Sequence, residues 1–383
     1  MELFEQGRWI YFLALLLSGF AIIFLNANQI EYSLLDAEGR VRQKRDRMVY
    51  VVTFVLVGYI IFWAAIRNGI ADTYTYIQHY NSLSKEINLK ELFTSEEVKA
   101  PLFELYQIIL KRLGLNFHWF IGSVAVFSGA CIYYAFSRYS DDVAFSFYLF
   151  MTSLYFYSWL MNGIRQFVVV CIFFAALRLI AEKKLIRLLI LVAFCYFIHK
   201  TAIIFIPIYF IANMKNWSYG IYACVLATMA LALIFPNQFV TLVDDSFQEY
   251  NVAEQLETDD GVNILRFLVA MVPAVLAFVF KKELKEINNP YINVMTNLSL
   301  VTAGLYAVGV ATSGILMGRL PVYTEIFNFL FLPFLIRRAL PKQVRGPIWV
   351  AAILLYFLHF YLQAKEGTYY TTDWFAGLNN AVV

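Results

Sequence analysis

Three arginines stand at or near the start of apolar runs: Arg165 in Asn162-Gly163-Ile164-Arg165-Gln166, Arg266 just after Asn263, and Arg319 at the head of Arg319–Ile336. A charge placed in a bilayer costs at least a few kcal/mol, so such residues point to function. The N-terminus of a helix carries free N–H groups and the positive end of the dipole. An arginine beside it adds a forked cationic donor, and the pair suits phosphate. Three at one depth would hold a diphosphate. The plainer alternative is arginines that snorkel and anchor helix ends. Against it, an arginine is unfavourable beside its own helix N-terminus.

Around these cations lie groups that could move a proton. Asp72 follows Arg67 in Arg67-Asn68-Gly69-Ile70-Ala71-Asp72-Thr73, where it is either a helix cap or a base. His199, beside Lys200, interrupts the long apolar stretch 185–212 and is either an interfacial side chain or a base. Glu325 stands six positions after Arg319, where it would neutralise an arginine or take a sugar hydroxyl. Paired aspartates occur at Asp141-Asp142, Asp244-Asp245 and Asp259-Asp260, without a metal-binding pattern, and Asp141-Asp142 reads as a helix cap. The four cysteines sit inside apolar runs and read as packing residues. No metal and no cofactor are expected.

The elements that must position these groups are membrane helices. The chain is 61% hydrophobic and 15% charged, against roughly 45–50% and 25% in soluble domains. The excess is lipid-facing surface. A crossing needs about 20 apolar residues. The spans expected are Trp9–Ala27, Met48–Ile66, His118–Phe136, Val143–Leu160, Ile164–Ala181, Leu185–Ala212, Tyr219–Phe235, Asn263–Phe280, Tyr291–Thr312, Arg319–Ile336 and Pro347–Gln363. The first reads as a retained helix and not a signal peptide, because Glu2 and Glu5 stand where basic residues would be needed. No linker or internal repeat divides the chain, so residues 1–383 form one transmembrane domain.

Charge sets the orientation. Arg40–Arg47, Lys183–Arg187, Lys281–Lys285 and Arg337–Arg345 are basic, while Asp244–Asp260 holds seven carboxylates and no Lys or Arg. Lys and Arg collect in cytoplasmic loops. Every basic loop lies inside only if Leu185–Ala212 crosses as two short spans. That gives an all-α polytopic bundle of about twelve spans, both termini outside. The external segments are then 67–117 and 236–262, with His199 at an external tip. Within the first, Leu102, Leu105, Tyr106 and Ile109 recur at helical spacing and predict an amphipathic helix on the membrane. Phe239, Val243, Phe247 and Tyr250 form a similar stripe.

Neither a phosphate-binding loop nor a glycine-rich dinucleotide turn is present, and no nucleic-acid partner is expected. What remains is an outward-facing membrane catalyst or carrier of something anionic. Four segments resemble the EpsG family. They are Arg67-Asn-Gly-Ile-Ala-Asp72-Thr73-x-x-Tyr76, Asn162-x-x-Arg165-Gln166, Phe197-Ile198-His199-Lys200-Thr201-Ala202 and Gly318-Arg319-x-x-x-Tyr323.

The resemblance implies a Wzy-like polysaccharide polymerase with a GT-C-like helical fold in a bacterial plasma membrane. It would transfer a growing glycan from undecaprenyl diphosphate to a lipid-linked repeat unit on the external face, for capsule, exopolysaccharide or O-antigen. Membrane lipids surround it, and a chain-length regulator and a flippase are implied partners. The candidate set is then His199 or Asp72 as base and Arg165, Arg319, Arg266 and Arg67 on the diphosphate. Gln166, Lys200, Tyr323 and Glu325 are further substrate contacts. Lipid-linked oligosaccharide flippase and glycan ligase are the alternatives.

Overall fold

The computed structural model describes residues 9–27, 47–70, 72–86, 88–95, 98–234, 262–287, 289–311 and 319–365. Every regular element among them is helical. A bilayer core offers no water to bond an open backbone, and helices satisfy their own polar groups. In order these are α1 (Trp9–Ala27), α2 (Arg47–Ala65), α3 (Thr73–Ser82), α4 (Leu89–Thr94), α5 (Pro101–Arg112), α6 (Phe117–Tyr139) and α7 (Val143–Thr152). Then come α8 (Leu154–Trp159), α9 (Ile164–Ala175), α10 (Leu177–Ala181), α11 (Leu185–Tyr196), α12 (Phe205–Ala212) and α13 (Tyr219–Ile234). The rest are α14 (Ile264–Val279), α15 (Lys281–Ile287), α16 (Pro290–Ala311), α17 (Val322–Glu325), α18 (Asn328–Phe334) and α19 (Lys342–Lys365).

By length and composition four helices can cross a membrane, α2, α6, α16 and α19, and a fifth if α14 and α15, bent by 73°, count as one. Several expected spans are broken. Val143–Leu160 divides at Ser153 into α7 and α8, and Arg319–Ile336 divides into α17, α18 and a π turn over Leu335–Ala339. These pieces are buried among neighbours, α7 and α18 completely, where irregular backbone is tolerated. Between α2 and α6, a Cβ on Gly129 would come within 2.4 Å of Ile61, so glycine sets that close approach.

The stretch 185–212 is a hairpin. Helix α11 leads to His199, a 3-10 turn over Lys200–Ile204 reverses the chain, and α12 returns. At its end Asn213 donates to the Ile180 carbonyl at 3.1 Å, back at the base of α11. Two of the basic segments, Lys183–Arg187 and the start of Arg337–Arg345, lie at that end, where Tyr139 of α6 packs against Tyr291 with ring centroids 5.8 Å apart. Tyr291 donates to Glu182 at 3.2 Å, next to Lys183–Arg187. Arg337 pairs with Asp142 at 2.5 Å and Arg338 with Asp141 at 2.9 Å. Asp142 also caps α7 by accepting from the Phe145 N–H at 3.1 Å. The aspartate pair therefore has the capping role expected of it and an ion-pairing role besides.

Helix α5 forms where the apolar spacing placed it, but its buried face is Phe103, Gln107 and Ile108. The expected stripe is offset: Leu102, Leu105 and Tyr106 are half-buried and Ile109 is exposed. The reason is tertiary. Phe103 packs edge-on against Phe120 of α6, their ring centroids 5.6 Å apart, so α5 seats on protein. The stripe Phe239–Tyr250 and the acidic loop lie outside the described residues.

Candidate functional site

At the end opposite the basic segments, four separate stretches of sequence converge. Helix α9 opens at Gly163, whose φ of +58° is left-handed. A Cβ there would come within 2.3 Å of the Trp159 ring, so only glycine fits. This turn delivers Arg165 half-buried and Gln166 buried. Arg165 makes no hydrogen bond or ion pair with the described residues. Gln166 donates to the Arg319 carbonyl at 3.4 Å and so ties the second arginine to the first.

The loop after α2 closes over this point. Arg67 is buried; its Nε donates to the Thr73 hydroxyl at 3.1 Å and a terminal nitrogen donates to the Ala64 carbonyl. The Tyr76 phenol oxygen accepts from the Ile164 backbone N–H. Burial pushes the Tyr76 phenol above its usual range, with Arg165 opposing, Asp72 adding to the rise, and Arg67 opposing. Asp72 precedes α3 but its side chain makes no cap hydrogen bond, and it is exposed. Asp72 thus holds the N-cap position of α3 with its carboxylate turned to no cap hydrogen bond.

The hairpin tip completes the group. Leu102 donates its N–H to the Phe197 carbonyl at 3.1 Å, which docks α5 on the tip. His199 Nδ1 shares a 2.6 Å hydrogen bond with the Thr201 hydroxyl, and Thr201 shares another with the Tyr323 hydroxyl. Thr201 and Tyr323 are buried and His199 is half-buried. Lys200 is exposed beside them. Arg319 precedes α17, which is a single turn, so it does not open the long helix that the sequence suggested.

Arg266 and Glu325 form a second group. Arg266 lies in the first turn of α14, a helix capped by Asn263, which accepts from the Leu265 N–H at 2.8 Å. Its Nε donates to the Tyr306 hydroxyl at 2.9 Å, and its guanidinium lies 5.1 Å from that ring centroid. Tyr306 in turn donates to Glu325 at 2.5 Å. Tyr323 and Glu325, two positions apart on a helical turn, therefore reach different neighbours: α11–α12 on one side, α14 and α16 on the other.

Sequence reasoning missed several participants. Thr201 lay in a quoted motif but had no role. Tyr306 was one tyrosine among 26. His79 stands one turn after Tyr76 on α3 and lies within electrostatic reach of Glu104 and Arg165. Its one-turn spacing from Tyr76 was the available signal. The aromatics Tyr369, Tyr370 and Trp374 lie outside the described residues.

The chain matches the EpsG family over residues 49–374. Neither a curated protein nor a solved structure matches it.

Proposed function

The chain belongs to the EpsG family, a Wzy-like polymerase family, and from that membership we propose that it extends a polysaccharide at the external face of a bacterial plasma membrane. The donor is a glycan on undecaprenyl diphosphate, and the acceptor is a lipid-linked repeat unit. The observation that carries this reading is Arg165: a half-buried guanidinium with no hydrogen bond or ion pair among the described residues, linked through Gln166 to Arg319.

Arg165 and Arg319 hold the donor diphosphate, with Arg67 behind them. As the bond from the anomeric carbon to the phosphate oxygen breaks, its electron pair passes to the diphosphate. Fixed cations there stabilise the transition state more than the ground state. The acceptor hydroxyl oxygen bonds to the anomeric carbon and its proton goes to His199. We favour His199 over Asp72 because its ring is already oriented by Thr201 and Tyr323. If Nδ1–H donates to Thr201, Nε2 is left to accept the proton. Asp72, Gln166 and Lys200 are further substrate contacts in this reading. A flippase that supplies the substrates and a chain-length regulator are the partners this role calls for.

The test is to delete the protein from its host and size the lipid-linked and surface glycans. Loss of long chains with single repeat units accumulating supports the polymerase. Long chains left on their lipid carrier would make the protein a ligase, and repeat units stranded at the cytoplasmic face would make it a flippase.

A further inference from the structure

The second polar group has chemistry of its own. Glu325, Tyr306 and His359 are all buried, at 8%, 0% and 4% exposure. His359 lies on α19 in the electrostatic field of Arg266, and Tyr356, one turn earlier, lies in that of Glu325. Both ring nitrogens of His359 lack a hydrogen-bond partner among the described residues. A buried polar atom left without a partner costs about 1–3 kcal/mol. His359 carries two. The group also sits near one end of its helices: Arg266 in the first turn of α14, Tyr306 near the end of α16, His359 near the end of α19.

The ligand class follows by elimination. An anion would meet the Glu325 carboxylate. A cation would meet Arg266. A hydrocarbon would strand both charges and the imidazole. A neutral molecule with several hydroxyls fits, because each hydroxyl both donates and accepts. The carboxylate accepts, and the imidazole does one of each.

We propose that Glu325, His359 and Arg266, with Tyr306, form a carbohydrate subsite. It holds an uncharged sugar of the glycan on the side of α17 away from the arginine pair. This rests on the polymerase reading for the identity of the glycan, but not for the existence of the site. The reacting sugar stays beside Tyr323 and His199; the subsite takes a sugar further along and sets which repeat unit is accepted.

The test uses the purified full chain in detergent. The probe is the host's repeat-unit oligosaccharide released from its lipid by mild acid, so that it carries no diphosphate. Binding is read by calorimetry on the wild type and on Glu325→Gln, His359→Phe and Lys342→Ala. The expected result is measurable binding to the wild type, weakened roughly 3- to 10-fold by each of Glu325→Gln and His359→Phe, as for one lost hydrogen bond. Lys342→Ala, an exposed position at the start of α19, should bind as the wild type does. Unchanged affinity in both Glu325→Gln and His359→Phe would overturn the subsite, as would no wild-type binding. A monodisperse elution profile excludes a folding defect, and the two variants act on different helices, so one misfolded variant leaves the other decisive. A subsite that fails while deletion still abolishes long chains leaves the polymerase reading intact; the converse result separates them in the other direction.

Discussion

The hydroxyls of Thr201 and Tyr323 share a hydrogen bond across 122 positions of sequence, and His199 hangs from its near end. This single contact joins the hairpin tip to the short helix behind Arg319. Removing it with Tyr323→Phe or Thr201→Val leaves the hairpin itself intact, because its backbone turn is independent of those hydroxyls: His199 N–H donates to the Cys195 carbonyl at 2.9 Å and Ala202 N–H to the His199 carbonyl at 3.0 Å. A neutral hydrogen bond contributes about 0.5–1.5 kcal/mol. Each substitution should therefore slow chain growth by roughly 2- to 12-fold through loss of the histidine's orientation. Glycan length on gels, followed over time in complemented deletion strains, checks this; wild-type rates in both variants would exclude the relay.

Arg165 and Arg319 should not tolerate neutral replacement. A guanidinium grips a diphosphate in two places, whereas an ammonium is a point charge. Arg165→Ala should abolish long chains, and Arg165→Lys should restore only a fraction. Long chains in a strain carrying both Arg165→Ala and Arg319→Ala would sink the proposed grip.

His79 offers a spectroscopic check of the same geometry. Although His79 is exposed, partial desolvation by the surrounding protein holds its imidazole below the usual range; Glu104 opposes this and the Arg165 charge adds to it. Arg165→Ala should move the His79 titration upward in an NMR pH series, and Glu104→Gln should move it downward. A folded-state value below the unfolded one means that stability falls as pH drops through the unfolded value, where the unfolded chain binds the proton first. Arg165→Ala should soften that acid-side loss.

How much of this was legible in the sequence depends on what each feature rests on. Arg165, Arg319, Asp72 and His199 stood out because charge inside an apolar run is costly and therefore visible. The reversal at His199 was readable from the bias of Lys and Arg among the loops. The partners were not readable. Nothing local connects Tyr306 to Glu325 or Asp142 to Arg337, since those contacts arise only when distant helices pack. Helix breaks at Ser153 and after Glu325 were hidden too, because their flanks are as apolar as any continuous span, and burial among neighbours permits the irregular backbone.

At the other end, the ion pairs should carry stability. Asp142 is 3% exposed and Arg337 33%. Breaking a fully buried pair costs about 3–5 kcal/mol, and the arginine's exposure lowers that to roughly 1–3 kcal/mol here. Asp142→Ala also removes the cap on α7, worth about another 0.5–2 kcal/mol. It should thus lower the melting temperature in detergent more than Arg337→Ala does. The double variant should be less destabilised than the sum of the two, and strict additivity would exclude the coupling.

The two ends of the bundle predict a labelling pattern. Asn213 bonded to Ile180 puts the base of the α11–α12 hairpin beside Lys183–Arg187, while Leu102 bonded to Phe197 puts its tip under the loop of α5. Lys and Arg collect on the cytoplasmic side, so the tip is expected outside. In a background where the four native cysteines are replaced by serine or alanine, Lys200→Cys should react with an impermeant maleimide on intact cells, and Lys184→Cys only after permeabilisation. Both side chains are exposed, so access to the reagent is decided by the membrane and not by packing. If both label equally on intact cells, the hairpin does not cross, and the basic segment Lys183–Arg187 would lie outside together with His199. Labelling of Lys184→Cys alone would invert the bundle and move the arginine pair to the inner face, where an external polymerisation could not use it.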